Sequence, residues 1–330
     1  MKKLLLYITI ILSFSCTRKD EIQGPLLDDL YGDFKVLEEF EAAPQSVDFS
    51  IGQKVTFTAR FSKNVDWEIH IIGQTSRAEK IITGKSKTLD AENASWNGTT
   101  TNLPMFKVEE CVAIISVPDE LYADTLNISI LETKLYEGFL LSDFEDGVNP
   151  GWDIFTQNGA DMSFTVVESD SAAQAYHYYD MGGAVTWDYL IGYIDMPSSA
   201  YSEPTYPLLN NPSQVFFNVL LNKPPEITNE IVLWQFWEDD NLDGVFNAND
   251  EDMYSVELTG LEDGWKTFSI RYDELAALVN GVPSTPAGNG IHEPHKLLNV
   301  RVLFLANPVT GYSQTLMDYI IFTEIEALNP

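Results

Sequence analysis

Short segments in which apolar and polar residues alternate recur along most of this chain. Alternation with a period of two places every second side chain on one face of an extended strand. Strand-like segments cover residues 54–61, 67–71, 111–117, 126–130, 214–221, 230–236, 253–258, 264–270, 300–305 and 317–322. A short helix is expected only at residues 272–279, where Asp273 can cap it and Gly281 can end it. The sequence therefore predicts an all-β protein.

The strand-like segments fall into two groups, which we expect to be two domains. The first covers residues 34–136, and its short strands separated by turns, over about a hundred residues, favour a β-sandwich. The second covers residues 137–330 and is again rich in strands. Cys111 lies inside an apolar segment of the first domain, so we expect it to be a buried, unreactive side chain.

Each predicted domain contains segments that resemble a known fold. Trp96-Asn97-Gly98 in the first domain resembles the W-[DN]-G segment of certain bacterial immunoglobulin-like domains, which are usually spacers; the resemblance implies a core Trp and an Asn-Gly turn. Residues 142–147, 264–268 and 317–322 resemble segments of the galactose-binding-like jelly roll found in many carbohydrate-binding modules. The predicted fold is therefore an immunoglobulin-like β-sandwich followed by a jelly-roll β-sandwich.

The N-terminus has the layout of a bacterial export signal. Residues 1–3 are a short basic start, residues 4–12 are mainly apolar and too short to span a bilayer, and small residues precede Cys16. This junction resembles the lipobox of Bacteroidetes lipoproteins, which implies a signal peptide over residues 1–15, a lipid on Cys16 and a tether over residues 16–33. The resemblance implies an outer membrane lipoprotein at the cell surface, attached to the membrane through its lipid alone. The alternative is an ordinary cleaved signal followed by a chance cysteine.

The charge of the chain excludes some partners. It carries 19 basic and 50 acidic residues, for a net charge of −31, which would repel nucleic acid and anionic membranes. Excess carboxylates suit divalent cations and neutral partners such as sugars, although solubility alone also explains much of the charge.

An acidic stretch at residues 239–250 has the ligand spacing of a calcium loop. Oxygen ligands stand at positions one, three, five, nine and twelve, and Gly244 permits the sharp turn that brings them round one ion. The predicted Ca²⁺ ligands are Asp239, Asn241, Asp243, the carbonyl of Val245, Asn247 and Asp250. The loop resembles that of dockerins, but strand-like flanks make it a static site, and a merely acidic hairpin loop is the alternative.

A second cation site follows from the jelly-roll resemblance alone. Modules of that type often hold a structural Ca²⁺ between the first and last strands, and Glu145 and Asp318 match those positions. The alternative is two solvated acids at strand ends.

Aromatic residues are concentrated between residues 176 and 206, which suggests a sugar-binding surface. Ring faces stack on sugars, and carboxylates and amides bind hydroxyl groups. The candidate ligand-binding residues are Trp187, Tyr178, Tyr179, Tyr201 and Tyr206. Burial in the core is the alternative for each ring.

Motifs of known catalytic sites are absent from the sequence. None of the four histidines lies in an HExxH motif, and no G-x-S-x-G, Walker or dinucleotide-binding motif occurs. We therefore expect non-catalytic glycan binding. An adhesion or structural protein that binds protein, and a glycan-processing enzyme, are the alternatives.

Overall fold

The computed structural model describes residues 32–185, 189–228, 230–279, 281–306 and 311–330. The predicted signal peptide, Cys16 and Trp187 lie outside these ranges. Strands dominate the described residues, as predicted, and the helices among them are five short 3-10 helices: Pro118–Glu120, Ser198–Tyr201, Pro212–Gln214, Tyr272–Glu274 and Pro294–Lys296. No helix in the described part of the chain is long and apolar enough to cross a membrane.

The first unit is a β-sandwich built from one seven-stranded sheet. Its strands are β1 (Val36–Ala43), β2 (Ser46–Asp48), β3 (Val55–Gly73), β4 (Glu79–Leu89), β5 (Ser95–Trp96), β6 (Glu110–Val117) and β7 (Tyr122–Glu132). The 19-residue β3 pairs with β1 in its first half and with β6 in its second, and its pairing with β4 shifts register between Arg60 and Val65. The sheet therefore encloses a core that draws on all seven strands.

Trp96 lies in this core, as the immunoglobulin-like resemblance implied. The rings of Phe49 and Phe106 each lie 4.8 Å from it, centroid to centroid, and its indole N–H donates to the Thr99 carbonyl at 2.9 Å. Gly98 has a φ of 87°, which favours glycine in the predicted Asn-Gly turn. Cys111 is buried and free, as predicted.

The second unit is a jelly-roll sandwich of two antiparallel sheets. Its strands are β8 (Phe139–Ser142), β9 (Asp153–Thr156), β10 (Ala160–Glu168), β11 (His177–Ala184), β12 (Leu190–Pro197), β13 (Val215–Lys223), β14 (Ile231–Glu238), β15 (Met253–Thr259), β16 (Gly264–Arg271), β17 (Leu278–Val279), β18 (Val282–Pro283), β19 (Leu297–Leu305) and β20 (Ser313–Glu324). One sheet has the order β10-β11-β20-β13-β16, with β8 beside β20, and the other has the order β15-β14-β19-β12-β9. Their inner faces enclose the larger core.

The predicted helix at residues 272–279 is wrong beyond its first turn. The backbones of Ser255 and Ala276 exchange two hydrogen bonds, so this segment pairs with β15 and continues into the short strand β17. Asp273 caps no helix and instead accepts a hydrogen bond from Arg271. Pairing with a neighbouring strand has outweighed a weak local preference for helix.

A small apolar cluster joins the two units. Met105 of the first unit packs with Leu220, Tyr319 and Ile321 of the second, and its N–H donates to the Ala173 carbonyl at 2.7 Å. Buried Lys107 donates to the Asp170 carbonyl at 3.0 Å across the same boundary.

Candidate ligand groove and cation sites

The outer face of the five-stranded sheet carries a continuous stack of planar side chains. Along β14 the residues alternate, so that Trp234 and Phe236 enter the core while Gln235 and Trp237 face outward. Phe155 of β9 lies directly opposite Tyr193 of β12, and Arg301 of β19 lies between Asp195 and Gln235. The antiparallel register therefore brings outward side chains of four neighbouring strands together.

Five planar groups follow one another across this face. The Phe155 and Tyr193 rings stack with centroids 5.2 Å apart, and the Trp237 and Phe246 rings stack at 4.9 Å. Between these pairs the Arg301 guanidinium lies 4.4 Å from the centroid of both Tyr193 and Trp237. We call these five groups the planar stack. Its inner ring faces cover one another, so the stack presents ring edges and, at its β9 end, the 38% exposed Phe155.

Asp195 fixes the central arginine. Its two carboxylate oxygens accept from Arg301 Nε at 2.6 Å and Nη2 at 2.5 Å, and the Asn299 amide donates to it at 3.1 Å. A bidentate pair of this kind restrains the guanidinium plane, and so keeps the group in place between the rings on either side.

A groove of about 530 Å³ lies beside the Trp237 end of the stack. Trp237, Phe246, Asn299, Asp195, Glu203 and Ser199 are among its lining residues. Two buried polar atoms in this lining, the Trp237 indole N–H and the Asn299 Oδ1, have no hydrogen-bond partner within the protein. An unsatisfied donor and an unsatisfied acceptor therefore belong to two directly paired residues of the groove lining, next to aromatic surface.

The predicted calcium loop lies between β14 and β15 and brings three carboxylates together. Oxygens of Asp239, Asp243 and Glu251 lie within 4.8 Å of one another. Asp239 accepts backbone N–H bonds from Asp243 at 3.1 Å and Gly244 at 2.7 Å, which folds the loop round its carboxylate. Gly244 has a φ of 82°, in keeping with the sharp turn expected there.

The acid that completes this group is Glu251 rather than Asp250. Asp250 is exposed and accepts from the Asn247 side chain at 2.8 Å, whereas Glu251 is buried and one of its oxygens has no partner. Burial raises the pKa of Glu251, and the charges of Asp239 and Asp243 raise it further. An orphaned buried oxygen beside two more carboxylates fits a hard cation such as Ca²⁺. The other ligands expected from the sequence, Asn241, the carbonyl of Val245 and Asn247, stay predictions.

Glu145 and Asp318 both contact one short segment, residues 174–177. Glu145 accepts from the N–H groups of Tyr176 and His177 at 2.8 and 2.7 Å, and its other oxygen lies 3.0 Å from His177 Nδ1. Asp318 is fully buried and accepts from Gln174 N at 2.8 Å. Burial raises the pKa of Asp318, and the charge of Glu145 adds to the effect. Asp318 Oδ1 and Gln174 Oε1 are buried without partners, which also fits a cation there.

The predicted aromatic residues do not form one surface. Tyr179 and Tyr206 are each 1% exposed in the core, where the Tyr206 hydroxyl donates to the Met196 carbonyl at 2.6 Å. Tyr201 packs against the same core and donates to the Leu141 carbonyl at 2.9 Å. The predictions for Tyr179 and Tyr206 are corrected, because both rings are buried in the core, whereas Tyr201 is half-buried and stays a prediction. Tyr178 is half-buried on the other sheet, beside Trp265.

The planar stack is the part of the site that the sequence reasoning missed. Two signals pointed to it. Arg301 is a charged residue inside the apolar strand 300–305, and Trp237 stands directly before the acidic loop. Each of these residues carries a polar group on a strand that is rich in apolar residues.

Comparisons with solved structures find carbohydrate-binding modules. One, from the β-sandwich superfamily of such modules, is 11% identical and covers 88% of this chain and 98% of its own, with a TM-score of 0.37. A family 11 module from Clostridium thermocellum, in complex with a β-1,3-1,4-mixed-linked tetrasaccharide, is 18% identical over 59% of this chain and 100% of its own (TM-score 0.38). SGBP-B from a complex xyloglucan utilization locus of Bacteroides uniformis is 12% identical and covers 88% of this chain and 73% of its own, with a TM-score of 0.34. No protein-family model and no curated protein matches the sequence.

Proposed function

We propose that this protein binds a glycan, without catalysis, in the groove beside Trp237. The observation that carries the proposal is the pair of partnerless atoms, Trp237 Nε1–H and Asn299 Oδ1, in the groove lining. A sugar hydroxyl is both a donor and an acceptor, so one or two hydroxyl groups satisfy both atoms. The C–H groups of the sugar rings then lie against the edges of the planar stack.

The carboxylates of the groove support binding rather than hydrolysis. Both oxygens of Asp195 are held by Arg301, and the Asn299 amide donates to one of them as well. An anion engaged in this way orients its neighbours and accepts sugar hydroxyls, and it is poorly suited to give or take a proton. Glu203, the other carboxylate in the groove, would then have no acidic partner for glycosidase chemistry.

We also propose that Ca²⁺ binds at Asp239, Asp243 and Glu251, completed by Asn241, Val245 and Asn247. The orphaned Glu251 oxygen and the turn at Gly244 support this set. A second Ca²⁺ at Glu145 and Asp318 is supported by the orphaned oxygens of Asp318 and Gln174. The basic start, apolar run and small residues before Cys16 support export and a lipid anchor at the outer membrane surface.

A glycan array tests the proposed function. Lipid-free protein beginning at residue 17 is applied to the array with Ca²⁺ and with a chelator, and the best oligosaccharide is then titrated in solution. We expect a glycan to bind, and the same oligosaccharide to remain intact after long incubation with the protein. Binding to no glycan under either condition would refute the proposal, and release of cleaved products would replace it with an enzyme.

A further inference from the structure

We propose that Glu238, Asp240 and Asp252 form a third cation site of this protein, which binds a Ca²⁺-like divalent cation on the opposite side of the acidic hairpin from Asp239, Asp243 and Glu251. Oxygens of these three carboxylates lie within 4.8 Å of one another. The site shares no residue with the group formed by Asp239, Asp243 and Glu251.

Strand geometry explains why the acids separate into two groups. β14 ends at Glu238 and β15 begins at Met253, and the Glu238 N–H donates to the Asp252 carbonyl at 3.0 Å. Successive side chains of paired strands point to opposite sides. Residues 238, 240 and 252 therefore collect on one side of the hairpin base, and residues 239 and 251 on the other.

Two carboxylates of this group each have a buried oxygen without a hydrogen-bond partner. Glu238 is 0% exposed, and its Oε2 has no hydrogen-bond partner; the Oδ2 of Asp240 is likewise buried and unpartnered. Two unpaired carboxylate oxygens, buried beside a third carboxylate, are costly unless something positive lies between them. Hard divalent cations take oxygen ligands of this type, and water can complete the coordination on the half-buried side of Asp240.

The remaining oxygens are held in place by fixed donors. Glu238 Oε1 accepts from the Tyr272 hydroxyl at 2.9 Å and Glu293 N at 2.8 Å. The N–H groups of Gly288 and Gly290 each donate to Asp252 at 2.7 Å. Such outer contacts orient metal-binding carboxylates. A Cβ atom at Gly288 would collide with Asp240 Oδ2, so the close approach of this loop requires glycine.

The protein's own cation near this group is engaged elsewhere. The Lys296 ammonium acts electrostatically on Asp240 and Glu238, but it donates to the Asp240 backbone carbonyl at 3.2 Å and to the Glu293 carboxylate at 2.8 Å. One lysine charge, already paired with Glu293, leaves three carboxylates uncompensated.

A proton is the rival occupant. Burial raises the pKa of Glu238 to about 8, and the charges of Asp240 and Asp252 add to the effect. A protonated Glu238 donating to a neighbouring carboxylate would also remove the repulsion. The number of Ca²⁺ ions bound to the protein distinguishes a cation at this group from a shared proton.

Native mass spectrometry of the full chain in Ca²⁺ solution, with Asp240→Asn, Asp243→Asn and the double variant, counts the bound ions. We expect each single variant to retain one Ca²⁺ fewer than the wild type and the double variant two fewer. An unchanged count in Asp240→Asn would assign the group to a shared proton and overturn the proposal. Loss of both ions in Asp243→Asn would overturn it too, because the two groups would then be one site.

Glu238→Gln keeps the test valid if the aspartate variants fold poorly. It removes one buried charge with little change of shape. Thermal unfolding followed by circular dichroism should give Glu238→Gln a higher melting temperature than the wild type in chelator. Ca²⁺ should raise the melting temperature of the variant less than that of the wild type. An equal Ca²⁺ response in Glu238→Gln and the wild type would overturn the proposal.

Discussion

Replacing Trp237 by Phe isolates the hydrogen bond on which the proposed function depends. Phe keeps a ring between Arg301 and Phe246, so the planar stack survives, but the indole N–H is lost. That donor has no partner in the unliganded protein, so only the complex loses a hydrogen bond. Such a bond contributes about 0.5–1.5 kcal/mol. Since 1.4 kcal/mol is a factor of ten, glycan binding should weaken about two- to twelvefold with little change in melting temperature.

Trp265→Phe provides the matched control. The same chemical change is made on the opposite sheet, where the Trp265 indole N–H already donates to the Ser171 carbonyl at 2.7 Å. This variant should lose about 1 kcal/mol of stability and bind glycan normally. Trp237→Ala should weaken binding further than Trp237→Phe, because the contacts with Phe246 and Arg301 each contribute about 0.5–1.5 kcal/mol.

Isothermal titration with the best oligosaccharide from the array, at constant Ca²⁺, measures all three variants. Equal affinity of Trp237→Phe and the wild type would refute the role of the indole N–H. An equal loss of affinity in Trp265→Phe would move the binding surface to the other sheet.

Three further predictions concern residues proposed from the sequence. A clickable fatty acid should label the wild type and leave Cys16→Ala unlabelled, and equal labelling would refute the lipid anchor. Chelator should lower the melting temperature of the second unit, since a ligand at a hundredfold excess over its Kd stabilises by about 2.7 kcal/mol. Asp243→Ala should remove most of this response, and a full response would place the ion elsewhere, with Glu145 and Asp318 the next candidates. Trp187→Ala should weaken glycan binding about tenfold at nearly constant melting temperature; a large loss of stability would instead assign Trp187 to the core.

The alternation of residues predicted most strands because a half-buried strand leaves a periodic trace in the sequence. Residues 54–61 and 67–71 show it, and both lie within β3, which the structure extends as one strand from Val55 to Gly73. β9 has four exposed residues and therefore leaves no such trace. The prediction of a helix at residues 272–279 was wrong because the backbone of this segment pairs with β15. No local sequence pattern indicates that pairing.

The site was harder to predict because both faces of its strands carry apolar residues. In β14, Val232, Trp234 and Phe236 alternate with Leu233 and Trp237, and only the position of the second sheet decides which set is buried. The same ambiguity applies to the adjacent residues Tyr178 and Tyr179, of which the first is half-buried and the second is buried in the core. Density of aromatic residues along the chain therefore does not show which rings are free, whereas the register between strands assembles the planar stack.

The acidic hairpin connects the proposed cation sites to the proposed groove. Trp237 directly precedes Glu238, and Gly244 and Phe246 of the loop line the groove. A cation that orders this loop holds Phe246 against Trp237, so the groove wall is formed before glycan binds. The entropy cost of ordering the loop then does not reduce the affinity for glycan. Linkage is reciprocal, so glycan must then tighten Ca²⁺ binding by the same factor by which Ca²⁺ tightens glycan binding. Glu145 and Asp318 contact residues 174–177, outside the groove lining, and an ion there would support the fold without this coupling.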